Sequence, residues 1–274
     1  MSPRQIVSRI GFYTFVAVLT GFFALPMLWL ASAPFDANPG YAPRVPEKPT
    51  LQHFSALFEN DLTMGSLWNS VLLSVASMVL VVAGAALAAY ALSRVRIPGR
   101  DALLYLLLLL SSVVTGTAAM VPIFLMIWKM GLLDRQLGVV LVLSGGLLPA
   151  AIFILKDFMD SVPRSYEESA RVFGAGPLRI LRDIVVPVAR PGLATIAVWT
   201  VVNVWGSYLV PFLLLRDQEK QPAAVVVRTF YDEGGGAQLG PISAFSLLYS
   251  IPVVLMYLFV NRRYGFRLHG GIKS

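Results

Sequence analysis

Long apolar runs separated by short charged punctuation extend through the whole chain. A charged side chain at mid-bilayer costs on the order of 2.5 to 3.5 kcal/mol on the insertion scale, so the gaps between charges bound the membrane spans. Six such gaps occur, at 10–35, 62–93, 102–128, 136–155, 191–215 and 234–261. Each holds the roughly 20 residues a helix needs to cross a bilayer. The pattern predicts an all-α integral membrane protein with one domain over 1–274. Its six transmembrane helices are expected at about 10–31, 67–92, 103–128, 137–156, 191–215 and 241–260.

Composition agrees. The chain is 57% hydrophobic and 14% charged, and its mean hydropathy is +0.71. Of the 22 Lys and Arg residues, 15 fall on the side shared by both termini and the 163–191 insert, and 7 on the other. The positive-inside rule then predicts cytoplasmic termini and a cytoplasmic insert. Basic residues facing anionic headgroups account for the net charge of +7 without nucleic acid. Without cysteine there is no disulfide, thiolate zinc site or cysteine nucleophile. The two histidines, His53 and His269, lie far apart in loop and tail and read as surface residues. Arg4 and Arg9 precede an apolar run ending Ala31-Ser32-Ala33, as in a signal peptide. That run is too long for an h-region and Pro34 follows it, so it reads as a retained first helix.

The loop at about 32–66 carries Pro34, Pro39, Pro43, Pro46 and Pro49, and is expected to be extended, ending in an amphipathic piece, His53 to Phe58. Gly84-Ala85-Ala86-Leu87-Ala88-Ala89 in the second span allows close helix approach. Uncharged polar and helix-loosening residues sit inside later spans: Ser111, Ser112, Thr115, Gly116 and Thr117 in the third, Ser144, Gly145, Gly146 and Pro149 in the fourth. Asn203, Gly206, Ser207 and Tyr208 stand in the fifth, and Ser243, Ser246 and Ser250 in the last. In hydrocarbon these groups turn toward neighbouring helices or a wet cavity, which implies a polar interior.

Between the fourth and fifth spans lies the one structured polar insert. Ser165-x-x-Glu168 has the form of a capping box, predicting a helix from about 166 to 173. Gly174 can end it in the left-handed conformation, and Pro177 suits the first turn of a second helix. There Leu178, Leu181, Ile184 and Val185 share one face, until Pro187 and Pro191 break the helix. The expected product is a helix-turn-helix elbow at the membrane surface. Its acids Glu167 and Glu168, with Asp157 and Asp160 before it, are read as salt-bridging groups.

The spacing Glu168-Ser169-Ala170-x-x-x-Gly174, nine residues, then Ile184-Val185-Val186-Pro187 closely resembles the EAA loop of bacterial ABC importer permeases. Ser169 replaces the second-position alanine, Val186 a leucine, and Phe173 the aspartate that sugar-type members usually carry before the glycine. Asn69-Ser70-Val71, Ala89-Tyr90-Ala91-Leu92-Ser93-Arg94 with Pro98-Gly99-Arg100, and Gly131-Leu132-Leu133-Asp134 also resemble the carbohydrate-uptake, maltose-type branch. So does Trp205-Gly206-Ser207-Tyr208-Leu209 with Pro211, although Gly206 and Ser207 replace an amide and an acid. The tail with Arg262-Arg263 and Gly270-Gly271-Ile272-Lys273 is similar too.

The resemblance implies a type I permease subunit in a bacterial cytoplasmic membrane, forming half of a pathway for a sugar-like solute. Its implied partners are a second permease (a heterodimer), two ABC ATPase subunits, an external solute-binding protein and lipid. ATP and Mg belong to the ATPase; this chain has no G-x-x-x-x-G-K-[ST] loop, binds no cofactor of its own and is not expected to be an enzyme. The implied coupling residues are Ser165, Glu168, Ser169, Ala170, Phe173, Gly174, Ile184 and Pro187. Candidates along the solute path are Ser111, Ser112, Thr115, Asn203, Trp205, Ser207 and Tyr208. A polyamine, phosphate ester or amino compound is the alternative cargo, and an ATP-independent carrier the rival mechanism. The absence of intramembrane charge weakens the latter.

Overall fold

The computed structural model describes residues 3–46, 48–95, 98–114, 117–231 and 236–264. It is helical, with isolated bridges in place of sheets among the described residues. Contacts divide the chain into two units, Met1–Met64 with Val226–Pro252, and Gly65–Val225 with Val253–Ser274.

The first unit holds α1 (Pro3–Ser32), α2 (Gln52–Phe58) and the start of the last long helix. The proline-rich loop between α1 and α2 is pinned rather than extended. The Asp36 carboxylate accepts from Arg44 Nε at 2.6 Å and the Asn38 amide at 3.1 Å, and Thr50 N–H donates to the Phe35 carbonyl at 2.9 Å. Trp29 Nε1 donates to the Gly40 carbonyl at 2.7 Å. Prolines cannot donate to a ladder, so a single isolated bridge, Asp36 to Pro49, and these side-chain bonds together close the loop.

The second unit contains most of α3 (Asp61–Arg94), α4 (Arg100–Val114), α5 (Met120–Lys129) and α6 (Gln136–Asp160). There follow α7 (Arg164–Val172), α8 (Pro177–Val188), α9 (Arg190–Trp205), α10 (Leu209–Leu214) and α11 (Ala223–Val226). The last helix is α12 (Leu239–Tyr264). Central α6 packs against α4, α9 and α10. The small residues of α3 serve the close approach their spacing predicts. Ala85 and Ala89 are wholly buried, and a Cβ on Gly84 would stand 3.1 Å from Leu148 Cδ1 of α6.

Among the described residues four helices are long and apolar enough to cross a membrane by length and composition, Arg9–Phe35, Asp61–Arg94, Gln136–Asp160 and Leu239–Val260, or five if the bent pair Pro177–Val188 and Arg190–Trp205 counts as one span. The expected third and fifth spans are not single helices. The third comprises α4 and α5 around a short 3-10 turn, Thr117–Ala119. The fifth is α9 and α10, interrupted at Gly206-Ser207-Tyr208. Glycine there weakens the helix, and Pro211 cannot donate to the turn before it.

Candidate functional site

The polar insert folds into two short helices, α7 and α8, joined by a tight glycine turn. Gly174 has φ +78°. The Ala175 amide donates to the Ala170 carbonyl at 3.0 Å and the Gly174 amide to the Arg171 carbonyl at 2.9 Å. This pair of bonds is the Schellman motif, with glycine at the position where other residues meet a steric penalty. Pro177 opens α8 after extended Gly176, as its missing N–H permits.

Three local expectations are corrected. The capping box is not formed, because α7 starts at Arg164 with Pro163 before it, which puts Ser165 inside the helix. Its carbonyl accepts instead from Ser169 Oγ at 2.9 Å. Leu178 is exposed, since it stands in the first turn of α8 at the tip of the elbow; Ile180, Leu181 and Val185 are buried. Pro187 does not end α8. A π segment, Leu181–Val185, in which the Val186 amide reaches the Leu181 carbonyl, absorbs the proline, and the chain turns at Ala189. There α8 and α9 bend by 82°.

The inner face of α8 packs Ile180, Leu181 and Val185 against Val81, Ala85 and Ala89 of α3 and Leu155 and Met159 of α6. On α7 the buried acid is Glu167, 1% exposed, whereas Glu168 is exposed. Glu167 takes Arg94 Nε of α3 at 2.5 Å on Oε1 and the Tyr90 hydroxyl at 3.2 Å on Oε2, with Arg171 Nη2 at 3.6 Å. Arg94 also donates to the Val162 carbonyl at 3.1 Å and to Ser93 Oγ at 2.9 Å. Ser93 Oγ donates to Asp160, which holds Lys156 Nζ at 2.7 Å. The salt-bridging reading of Asp160 and Glu167 is thus the observed one. Sequence reasoning passed over Glu167 as a site residue; the signal lay in its i, i+3 relation to Ala170 on one helix face.

The outer side of the elbow is apolar and basic. Phe173 is 90% exposed, and Val172, Leu178 and Tyr166 are exposed beside it. Arg171, Arg179 and Arg182 of the same insert are exposed, Arg171 pairing with Glu167 and Arg179 and Arg182 with Asp183. Ile184 and Pro187 are half-buried and Ala170 lies against the core.

A second region is a cavity of about 250 Å³ lined by Met120, Val142, Leu143, Leu147, Asn203, Ser207, Tyr208, Leu209 and Val210. The structure therefore brings Asn203, Ser207 and Tyr208 together at the break between α9 and α10. Asn203 Nδ2 donates to the Trp199 carbonyl at 2.7 Å, and Tyr208 stacks on Phe212 with centroids 5.2 Å apart. Trp205 is buried and does not line this cavity. Ser111 Oγ bonds its own helix at the Leu108 carbonyl, 2.8 Å away, and is not part of the lining either. Ser112 belongs to α4; Thr115 lies outside the described residues.

A third constellation braces the loop after α10. Asp134 Oδ1 accepts the amides of Arg216 and Asp217, each at 3.0 Å, and Oδ2 accepts Lys220 Nζ at 2.8 Å. The Lys220 bond, then the Asp217 amide, hold the Asp134 carboxyl below the usual carboxylate range, and Asp134 and Asp217 raise Lys220. Asn69 Nδ2 donates to the carbonyls of Glu219 at 2.7 Å and Gln221 at 3.2 Å.

The family model for the binding-protein-dependent transport system inner membrane component matches residues 81–265, a stretch that includes the elbow. The chain belongs to that family. As a whole it is 30% identical to the maltodextrin transport system permease protein MdxG of Bacillus subtilis, over 96% of this chain and 95% of that one. It is 28% identical to the galactooligosaccharides transport system permease protein GanQ of the same organism over 96% of this chain and 95% of its relative. With the trehalose transport system permease protein SugB of Mycobacterium tuberculosis it shares 29% over 90% of each. In fold it matches a chain from the crystal structure of a bacterial ABC transporter involved in import of the acidic polysaccharide alginate. The TM-score is 0.82 at 23% identity, covering 96% of this chain and 99% of that one. The permease is thus an inner membrane component of a binding-protein-dependent transport system.

Proposed function

We propose that this permease forms half of the pathway for a sugar or sugar-like solute and receives ATPase motion through α7 and α8. In this reading it spans the membrane six times with cytoplasmic termini, pairs with a second permease and engages two ATPase subunits. The observation that carries it is the elbow itself. Its inner face is seated in the core of α3 and α6, and its outer side exposes Phe173, Val172 and Leu178 on a segment that also carries exposed arginines. Large exposed apolar side chains on a polar segment mark a protein contact. A Schellman turn between two short helices transmits displacement as a lever. ATP-driven closure below then shifts the membrane helices between inward and outward openings, as differential binding to two states requires.

Relatives named for maltodextrin, galactooligosaccharides and trehalose support a neutral carbohydrate. So does the uncharged lining of the cavity, where Asn203, Ser207 and Tyr208 offer hydrogen bonds and an aromatic face. A polyamine or phosphate ester would call for a counter-charge. The lining comes from α5, α6, α9, α10 and the break before α10, so a facing subunit completes the path.

The test is a cysteine at position 173 in the otherwise cysteine-free chain. Crosslinking to a nucleotide-hydrolysing subunit is expected, together with loss of uptake in Glu168→Lys while the helices remain inserted. Uptake that persists without any ATPase subunit would overturn the reading.

A further inference from the structure

The two consecutive acids of α7 line one small pocket but differ in burial: Glu167 is 1% exposed, whereas Glu168 is exposed and accessible to a partner. α7 has nine residues, from Arg164 to Val172. Isolated helices shorter than about 12 to 15 residues are marginal, so its position must come from tertiary contacts. Among its residues only Glu167 is buried, with Ala170 half-buried beside it; the other seven are exposed. Arg164 Nη2 also reaches the Ser93 carbonyl at 3.5 Å and Ala170 packs on the apolar core, but Glu167 is the buried polar anchor of the helix.

What holds that side chain is unusually complete. Arg94, in the last turn of α3, uses all three guanidinium nitrogens: Nε on the Glu167 carboxylate, Nη2 on the Val162 carbonyl and Nη1 on Ser93 Oγ. Two of these acceptors, Val162 and Glu167, bracket the start of α7. One arginine thus fixes both the chain entering the helix and the helix itself. Tyr90, one turn earlier on α3, binds the other carboxylate oxygen. Through Ser93 and Asp160 the same network reaches Lys156 of α6. A buried ion pair is weak support for stability as such, because desolvation opposes its Coulomb energy; its best-attested use is to fix one geometry among several.

We propose that Arg94 and Glu167 are positioning residues that lock α7 to the end of α3, so that the elbow and α3 move as one body. Glu168 is left exposed for the ATPase. This rests on the elbow being the ATPase docking site. Glu167 acts through the arginine, and motion imposed on the tip at Phe173 reaches α3 by this pair. The lysine alternative would not serve at position 94, because an ammonium is a point charge without the planar fork that reaches three acceptors.

The experiment uses the assembled importer in lipid nanodiscs, with spin labels on cysteines at the exposed positions Val172 of α7 and Leu87 of α3. The distance distribution between them is recorded without nucleotide and after trapping with ATP and vanadate. The wild-type pair is expected to give a narrow distribution of equal width in both states. Glu167→Gln and Arg94→Lys should each broaden it about twofold or more, with the ATPase still co-purifying at the wild-type ratio. The exchange Arg94→Glu with Glu167→Arg should narrow it again. Wild-type width in assembled Glu167→Gln and Arg94→Lys complexes would overturn the lock and leave the docking reading intact. Should Glu167→Gln fail to assemble, Arg94→Lys, which keeps the charge, decides by the same width. Failure of the wild-type chain to retain any ATPase would instead sink the docking reading.

Discussion

Phe158 of α6 stands directly over Gly192 in the first turn of α9. A Cβ at Gly192 would lie 2.4 Å from Phe158 Cγ and 2.8 Å from its Cβ. Because Phe158 Cβ is fixed to the α6 backbone, the ring cannot simply swing aside. This contact sits just after the 82° turn at Ala189, so it sets how closely α9 leaves the elbow along α6.

Gly192→Ala should therefore destabilise the permease by about 1 to 3 kcal/mol, the usual cost of overpacking. A lowered melting temperature in detergent is the readout. Adding Phe158→Ala should return part of the loss, since the two changes share one contact and will not be additive.

At Gly174 the cost is backbone alone, because a Cβ there would meet nothing within 4 Å. Gly174→Ala should cost about 1 to 2 kcal/mol of left-handed strain. Gly174→Asn should cost less, as asparagine tolerates that conformation, and Gly174→Pro should abolish uptake. Solute-stimulated ATP hydrolysis in the reconstituted importer ranks the three; an equal rate for alanine and asparagine would contradict the strain argument.

Phe173 offers the largest apolar area at the tip. Phe173→Ala should weaken ATPase binding by about 1.5 to 3 kcal/mol, tenfold or more, if that ring is buried on docking. Retention of the ATPase during purification at falling concentration measures it. Unchanged retention would move the contact elsewhere on the elbow.

The loop after α10 should be insensitive to pH over a wide range. The Asp134 carboxyl titrates below its ordinary value, so its contribution is present above that value and is lost only as pH falls through the depressed pKa. Lys220 is raised, so its contribution holds below the ordinary lysine value and is lost as pH rises through the elevated one. A spin label at exposed Gln218 should keep constant mobility between these limits. Asp134→Asn, which loses the lysine bond, should raise that mobility at neutral pH.

The amino-acid pattern by itself determined the helical membrane class, the elbow between 163 and 191, and the left-handed glycine at its bend. Each is local: hydrophobic length, turn chemistry and proline placement act within a few residues of chain. The close packing of Ala85 and Ala89 was legible for the same reason, since small residues at helical spacing have few other uses.

Tertiary structure alone decided which glutamate is buried, because the choice depends on Arg94 and Tyr90, more than seventy residues away on α3. It likewise decided that Trp205 turns from the cavity while Asn203, Ser207 and Tyr208 meet there, and that Leu178 is exposed at the tip. The π turn at Leu181–Val185 changes the register that a 3.6-residue period assumes. Sequence periodicity names the residues that can share a face; which face is covered follows from the neighbour that long-range packing brings against it.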